Sequence, residues 1–515
     1  MTEDGDMQPM TIPALYWLTR DFRFSDNAAL TAALSQGPVL AVFVLDQQTR
    51  EQGAASRWRL QRALEVFDAE LRRRSGNGVL VVEGEAEEVF PALMRQTGAR
   101  QVHQNDWPRP SMRQSQRRLS AALGPLCGEL HLYPGHLLAS PQRIRTGQGG
   151  VYKVFTPFAR ALRHYGVDRP LPGLPDQFAA VPLPESVEGL RLRSLRELEL
   201  APDLHRGHAL LERFALPAGE AAAFDRLEDF FDRAAPYPEG RDRPDIDACS
   251  GLSEHLALGE ISPRSLWALA SLRADVDSSA GPGAAAAAGL EKFLSEVIWR
   301  EFAWHLLIDF PQLETAPWRG EWAEFPWRGA GPELERWQRG DTGIAMVDAG
   351  LREMWVTGRM HNRVRMVVAS WLTKHLLIDW RLGMQHFADC LTDWDPASNA
   401  MNWQWVAGCG PDASPFFRIF NPETQAQKFD PKALYRAKWL AGWPGAEASP
   451  EAGAFLENLP SDWRPSAVWR PAPAEVLKAG RLQALEEYRM FKGAEAEPRE
   501  EDGKRASLNF LRDFM

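Results

Sequence analysis

An α/β domain with a Rossmann-like parallel sheet, followed by a large all-α domain, is the fold class this sequence predicts. Three observations predict it. Residues 14–140 alternate short apolar runs with amphipathic stretches, the pattern of strands covered on both faces by helices. From residue 206 onward Trp, Leu and Ala recur at spacings of three and four, the helical period. Between them Pro170, Pro172, Pro175, Pro182 and Pro184 mark an extended connector that resists helix. A chain of 515 residues also exceeds what one hydrophobic core holds. The expected division is 12–140, a linker at 141–205, a helical domain at 206–490 and a charged tail at 491–515.

Taken in order, ALYWL (14–18), VLAVFVLD (39–46), VLVVEG (79–84) and ELHLY (129–133) read as buried strands. SRWRLQRALEVFDAELRRR (56–74) has the apolar spacing of a helix between them. Ligands of such sheets lie beyond the carboxyl ends of the strands, where the loop TRDFRFSDN (19–27) is placed. That loop lacks a glycine-rich dinucleotide fingerprint. GPGAAAAAGL (281–290) reads as a low-complexity exposed loop. The tail ends in SLNFLRDFM, which reads as a short docking helix.

Composition narrows the class of function. With 44% hydrophobic and 25% charged residues the chain is an ordinary globular protein. Its oddity is 20 Trp against 7 Tyr, which fits a generous core, a stacking surface or an electron path. A net charge of −10 argues against nucleic acid across the whole surface. A local basic face is still offered by Arg359, Arg363, Arg365 and Lys374. The four Cys are scattered without paired ligand spacing, so no metal site is expected, and reduced thiols point to the cytoplasm. The polar start differs from a signal peptide, and no apolar run reaches membrane length.

The chemistry concentrates in DWDPASNAMNWQWVAGCGPDASPFFRIFN (393–421). Trp394, Trp403 and Trp405 stand there among Asp393, Asp395, Asn399 and Asn402. Polar groups taken out of water must find partners, so the window suggests a planar polar ligand bordered by indoles. On a helix Asn399 and Trp403 share a face, whereas Trp405 lies about 200° round from Trp403. In KFLSEVIWREFAWHLL (292–307), Glu296, Trp299, Arg300 and Ala303 fall on one stripe. In TGRMHNRVRMVVASWLTKHLLIDW (357–380), read as one helix, Asn362 and Met366 face together. Ser250 and Ser253 around Gly251 form a candidate anion cradle. Each segment alone also fits a core helix, a solvated face or an ordinary N-cap.

Together these segments resemble the photolyase/cryptochrome flavoprotein family, most closely its class I cyclobutane pyrimidine dimer enzymes. The resemblance runs from WLTRDFRFSDNAAL (17–30) through VYKVFTPFARAL (151–162), IWREFAWHLL (298–307), TGIAMVDAGLREM (342–354) and GRMHNRVRM (358–366) to the window above. It implies an antenna domain, a linker and a helical FAD-binding domain. By position it implies that Tyr237, Ser250, Leu252 and Ser253 cradle the FAD phosphates, with Arg300 and Asn362 at the same cofactor. Arg365 and Asp393 are implied as an ion pair beside the flavin, Asp395 near its polar edge and Asn399 opposite its N5. Plant cryptochromes carry Asp and animal ones Cys at that last position. Trp403, Trp380 and Trp327 are implied as an electron path to the surface.

The resemblance further implies light-driven splitting of cyclobutane pyrimidine dimers in DNA. An electron from excited reduced FAD would open the ring and then return. Glu296, Trp299, Asn362, Arg363, Met366 and Trp405 match the lesion pocket of these enzymes. The dimer would be flipped into that pocket. Asn362 stands where (6-4) enzymes carry a histidine. Arg241, Arg363 and Lys428 are candidate phosphate contacts. A monomer with damaged DNA as partner, and no membrane or metal, is expected. CSGLS replaces the commoner Thr-Ser-Arg-Leu-Ser, Arg359 stands where Trp is usual, and Ala400-Met401-Asn402 is bulkier than the usual glycines. Glu314, and the lack of a Tyr-Glu pattern in QNDWPRPSMR (104–113), leave folate, a deazaflavin or nothing as the second pigment. A cryptochrome-type photoreceptor without repair activity is the alternative.

Overall fold

A computed structural model describes residues 12–279 and 283–493. One six-stranded sheet has the order β5-β4-β1-β2-β3-β6. Its strands are β1 Ala14–Leu18, β2 Val39–Leu45, β3 Leu80–Glu83, β4 Gln101–Asn105, β5 Glu129–Tyr133 and β6 Arg191–Arg193. β1 to β5 pair in parallel, with β1 against β2 in register from Ala14↔Val39 to Leu18↔Phe43. β6 lies antiparallel along β3. β1 and β2 are buried throughout, which is why they read as unbroken apolar runs.

β4 and β6 fall outside the expected strands. β4, QVHQN, has one aliphatic residue, and its polar side chains are buried by pairing with one another's neighbours. His103 Nδ1 meets the Tyr133 hydroxyl at 2.9 Å. Gln116 Nε2 donates to Gln104 Oε1 at 2.9 Å, and Asn105 Nδ2 donates to Asn27 Oδ1 at 2.6 Å. The strand is satisfied by hydrogen bonds where periodicity looks for apolar side chains. The proline-rich connector carries no helix or strand between residues 166 and 190. The region 141–205 nonetheless contains the helix Phe155–Tyr165 as well as β6.

The second half is helical, as expected, with two corrections. The alanine run is no loop: a helix spans Ala284–Asp309, and Leu290 is fully buried. Gly289 in that run lets the helix touch another chain segment, since a Cβ there would lie 1.8 Å from the Ala234 carbonyl oxygen. The stretch 357–380 is not one helix either. It divides into the helix Asn362–Ser370, a π-turn Trp371–His375 and a break before Trp380–Cys390. Asp379 caps the last of these, accepting from the Arg381 N–H at 2.9 Å. The charged tail and its SLNFLRDFM end lie outside the described residues. No helix among the described residues is long and apolar enough to cross a membrane.

The two domains are fastened by buried charge. The helix Ala54–Ser75 of the sheet domain sends Arg59 into the helical domain, where its guanidinium meets Glu254 at 2.9 Å and Glu260 at 2.7 Å. Burial alone would raise the Glu260 carboxyl, but Arg59 and His255 overcome it and bring it down to about 2. Because the folded value lies below the ordinary 4.5, its contribution to stability is complete above pH 4.5 and is lost as pH falls toward 2. Acid unfolding followed by circular dichroism should therefore steepen across that window. In Glu260→Gln the steepening should shrink, at the cost of lower stability at pH 7. An acid limb identical in both proteins would refute the assignment.

Candidate active site

Three helices and one short turn converge on a cavity of about 370 Å³ in the helical domain. The helix Ala284–Asp309 presents Glu296, Trp299 and Arg300 to it, as the three-and-four spacing predicted. The helix Asn362–Ser370 begins at His361, whose Nδ1 accepts from the Arg363 N–H at 3.2 Å. It turns Asn362, Arg365 and Met366 to the same cavity. The helix Pro396–Ala407 starts from Asp395, which accepts from the Ser398 N–H at 2.8 Å, with Pro396 in its first turn. Asn399, Trp403 and Trp405 all reach the cavity from it. The fourth wall is the turn with Cys249, Ser250, Leu252 and Ser253, where Gly251 has φ +68. Tyr237 and Arg241 close it from a short helical turn.

Arg365 Nη2 and Asp393 Oδ2 form an ion pair at 2.8 Å, and Arg365 Nε also donates to the Met360 carbonyl at 2.7 Å. The other oxygen, Asp393 Oδ1, is buried with no hydrogen-bond partner among the described residues. A buried carboxylate oxygen left open toward a cavity fits a ligand that supplies an N–H donor. Asp395 Oδ2 accepts from Trp304 Nε1 at 2.9 Å, so it is already oriented. Asn399 Nδ2 donates to the Met384 carbonyl at 3.1 Å, which fixes its amide at the cavity wall. Arg300 donates to the His136 carbonyl at 2.9 Å and lies 2.9 Å from His136 Nε2. Burial, then Arg300, holds His136 well below its ordinary value, so its ring is neutral beside the guanidinium. Met401 and Asn402 line the same cavity, so the bulk at 401–402 does stand where a ligand would lie.

Farther along the cavity, Glu296 Oε2 meets Arg241 Nη2 at 2.8 Å. Burial raises the Glu296 carboxyl, and Arg241 opposes that rise. Arg241, expected as a phosphate contact, is 6% exposed and paired with Glu296. Arg363 is committed likewise, to Asp242 at 2.8 Å, with its guanidinium 4.5 Å from the Phe429 ring centroid. Only Lys428 of the three phosphate candidates is exposed. Sequence reasoning chose these residues by charge type and missed carboxylate partners far along the chain.

Trp403 is buried between Phe387 and Trp337, with ring centroids 4.9 and 6.2 Å away. Trp380 is fully buried. Trp327 is half-buried against Trp322 at 6.3 Å. The backbones beside the last two adjoin, since Asp379 N–H donates to the Arg328 carbonyl at 2.9 Å. Sequence reasoning missed Trp304, His136, Met384 and His361, which orient the site residues from behind. Cys249 Sγ lies 3.6 Å from His361 Nε2, tying the Ser250 turn to the Asn362 helix. None of these carries a signal of its own in a single sequence.

Aromatic and basic side chains meet at the carboxyl ends of the strands. Arg20 lies over the Trp107 ring at 5.0 Å, and Arg109 bridges Trp107 and Trp394 at 5.9 and 5.0 Å. Arg109 also pairs with Glu314 at 3.0 Å. Three buried polar atoms in these loops, Thr19 Oγ1, Gln48 Oε1 and Ser111 Oγ, have no hydrogen-bond partner among the described residues.

Two family models match the chain. Residues 14–176 match the model described as DNA photolyase, and residues 293–449 match that of the FAD binding domain of DNA photolyase. A deoxyribodipyrimidine photo-lyase of Agrobacterium fabrum is 41% identical over 84% of this chain and 88% of its own length. Cryptochrome-1 of Arabidopsis thaliana is 30% identical over 92% of this chain and 67% of its own. Among solved structures, a bacterial class III photolyase from Agrobacterium tumefaciens superposes with a TM-score of 0.80. Its identity is 36%, over 95% of this chain and 99% of that one.

Proposed function

Because this chain belongs to the DNA photolyase family, we propose that it is a deoxyribodipyrimidine photo-lyase, an FAD-dependent lyase that uses light to split cyclobutane pyrimidine dimers in DNA. The observation that carries this reading is one continuous cavity. Asp393, Asp395 and Asn399 stand in it together with Glu296, Trp299, Met366 and Trp405. A cofactor subsite and a substrate subsite that share a wall suit transfer over a short distance.

When bound, reduced FAD supplies the light-excited electron. This chain's residues supply the rest. The Arg365–Asp393 pair fixes a charge and an open acceptor at the cofactor's polar edge, which the orphaned Asp393 oxygen supports. The amide of Asn399 lies at the wall without adding negative charge there. The Ser250–Ser253 turn offers hydroxyls and backbone N–H groups to phosphates. Trp299 and Trp405 border the flipped dimer, while Glu296 and Asn362 hydrogen-bond its bases. Trp403, Trp380 and Trp327 serve as the reducing path, supported by the burial of the first two and the greater exposure of the third.

Likeness to an enzyme described as class III weighs against the class I placement expected from sequence. A second pigment, if one binds, is a folate or a deazaflavin, and the crevice with the Thr19, Gln48 and Ser111 atoms is its candidate place. We place the protein in the cytoplasm as a monomer. Four free cysteines support a reducing compartment.

The test is binding in the dark. Purified holoprotein should release FAD on denaturation. It should also prefer an oligonucleotide with one cyclobutane dimer to the same undamaged strand by orders of magnitude. Likeness to cryptochrome-1 favours a photoreceptor as the second reading. Photoreduction without any preference for the dimer would replace the first reading by the second.

A further inference from the structure

The expected linker reaches into the active site. Phe155, the first residue of the helix Phe155–Tyr165, lies flat on Trp299 with centroids 3.6 Å apart and planes 4° from parallel. Phe155 is 6% exposed, and Phe302 meets both rings edge-on at 6.0 and 5.9 Å. A parallel sandwich is the arrangement that isolated aromatic pairs avoid, preferring offset or edge-to-face contact. It is therefore imposed by what holds the two rings. The segment before Phe155 is held at two points. The Tyr152 N–H donates to His305 Nε2 at 3.2 Å, and the Asp412 N–H donates to the Lys153 carbonyl at 3.3 Å. His305 lies on the same helix as Trp299, and Asp412 lines the cavity. Phe155 thus covers one face of the indole, while Trp299 also borders the cavity.

We propose that Phe155 is a positioning residue for lesion recognition, a phenyl backstop that fixes the plane of Trp299 before a pyrimidine dimer packs against the indole from the cavity. This rests on the reading of Trp299 as a wall of the lesion pocket. The gain is preorganisation: the indole cannot swing without displacing the phenyl ring, so less freedom is lost when the dimer arrives. Ordering one side chain at an interface corresponds to a roughly twofold to tenfold change in affinity.

The experiment compares dark binding of dimer-containing and undamaged oligonucleotides by the holoprotein, Phe155→Leu, Trp299→Ala and the double variant. Phe155→Leu keeps apolar volume and loses the flat ring. It should weaken dimer binding about fivefold to tenfold, with unchanged FAD content and unchanged affinity for undamaged DNA. Repair per absorbed photon at saturating dimer should hold, so that KM moves and kcat does not. Phe155→Tyr, which keeps the ring, should restore binding. In the Trp299→Ala background, Phe155→Leu should have no further effect. Should leucine fail to fold, Phe155→Met makes the same comparison. Equal dimer affinity in parent and Phe155→Leu overturns the inference, as does equal loss of flavin or of undamaged-DNA binding. A full additional loss in the Trp299→Ala background does the same. A parent with no preference for the dimer overturns the proposed function and this inference together. A parent that prefers the dimer while Phe155→Leu matches it overturns this inference alone.

Discussion

Glu296→Ala should be the most damaging single substitution in the lesion half of the cavity. The carboxylate holds Arg241 at 2.8 Å in a largely buried setting and lines the cavity at the same time. Removing one partner of a buried ion pair costs about 3–5 kcal/mol, because the other charge stays behind in a poor solvent. The melting temperature should fall accordingly. Dimer affinity should fall by about 1–3 kcal/mol, as base donors lose their acceptor. Binding to undamaged DNA should change far less. Glu296→Gln, which keeps the shape and one acceptor oxygen, should recover most of the stability and part of the dimer affinity. Competition binding and thermal melting on the three proteins check this. Unchanged dimer affinity in Glu296→Ala would remove Glu296 from the recognition of the lesion.

The second large effect is expected at Asp393. Its Oδ2 holds Arg365 and its Oδ1 is the open acceptor of the cofactor side. Asp393→Ala removes both, and charge-assisted hydrogen bonds are worth about 1.5–3 kcal/mol each. Flavin affinity should drop roughly tenfold to a hundredfold on that basis. Asp393→Asn keeps the shape but loses the charge, and should fall between the parent and the alanine protein. Titration of apoprotein with FAD, followed by flavin fluorescence, gives the three dissociation constants. If alanine and parent bind FAD equally, the Arg365–Asp393 pair is a structural brace and not a cofactor contact.

Strands with a continuous apolar run were legible in the sequence, because burial on both faces demands apolar residues at every position. β4 was illegible for the opposite reason. His103, Gln104 and Asn105 are buried, with hydrogen bonds to partners that only the fold supplies. The alanine run misled because low complexity also describes a close-packed helix, here one that needs Gly289 against Ala234. The break before Trp380 has a readable trace in Asp379, a capping residue type that accepts from the Arg381 N–H.

The candidate site was legible as positions and illegible as geometry. Spacing placed Glu296, Trp299 and Arg300 on one stripe, and the cavity gathers all three. The two-residue offset of Trp403 and Trp405 gave them different surroundings, one buried against Phe387 and Trp337, the other half-exposed beside Arg418. Charge type alone assigned Arg241 and Arg363 to phosphates. In the fold both are paired, Arg241 with Glu296 and Arg363 with Asp242. Phe155 stands within a segment that resembles the family, yet nothing in one sequence announces that a linker phenyl would lie 3.6 Å from a pocket indole.

Light-driven repair is tested by a single assay. Holoprotein with chemically reduced flavin is mixed with an oligonucleotide bearing a single cyclobutane thymine dimer and illuminated with blue or near-ultraviolet light. Intact thymines should return, seen as recovery of absorbance near 260 nm and of the undamaged strand by chromatography. The dark control should stay unrepaired. Reduced, flavin-loaded protein that binds the dimer yet leaves it intact under light would rule out a repair enzyme.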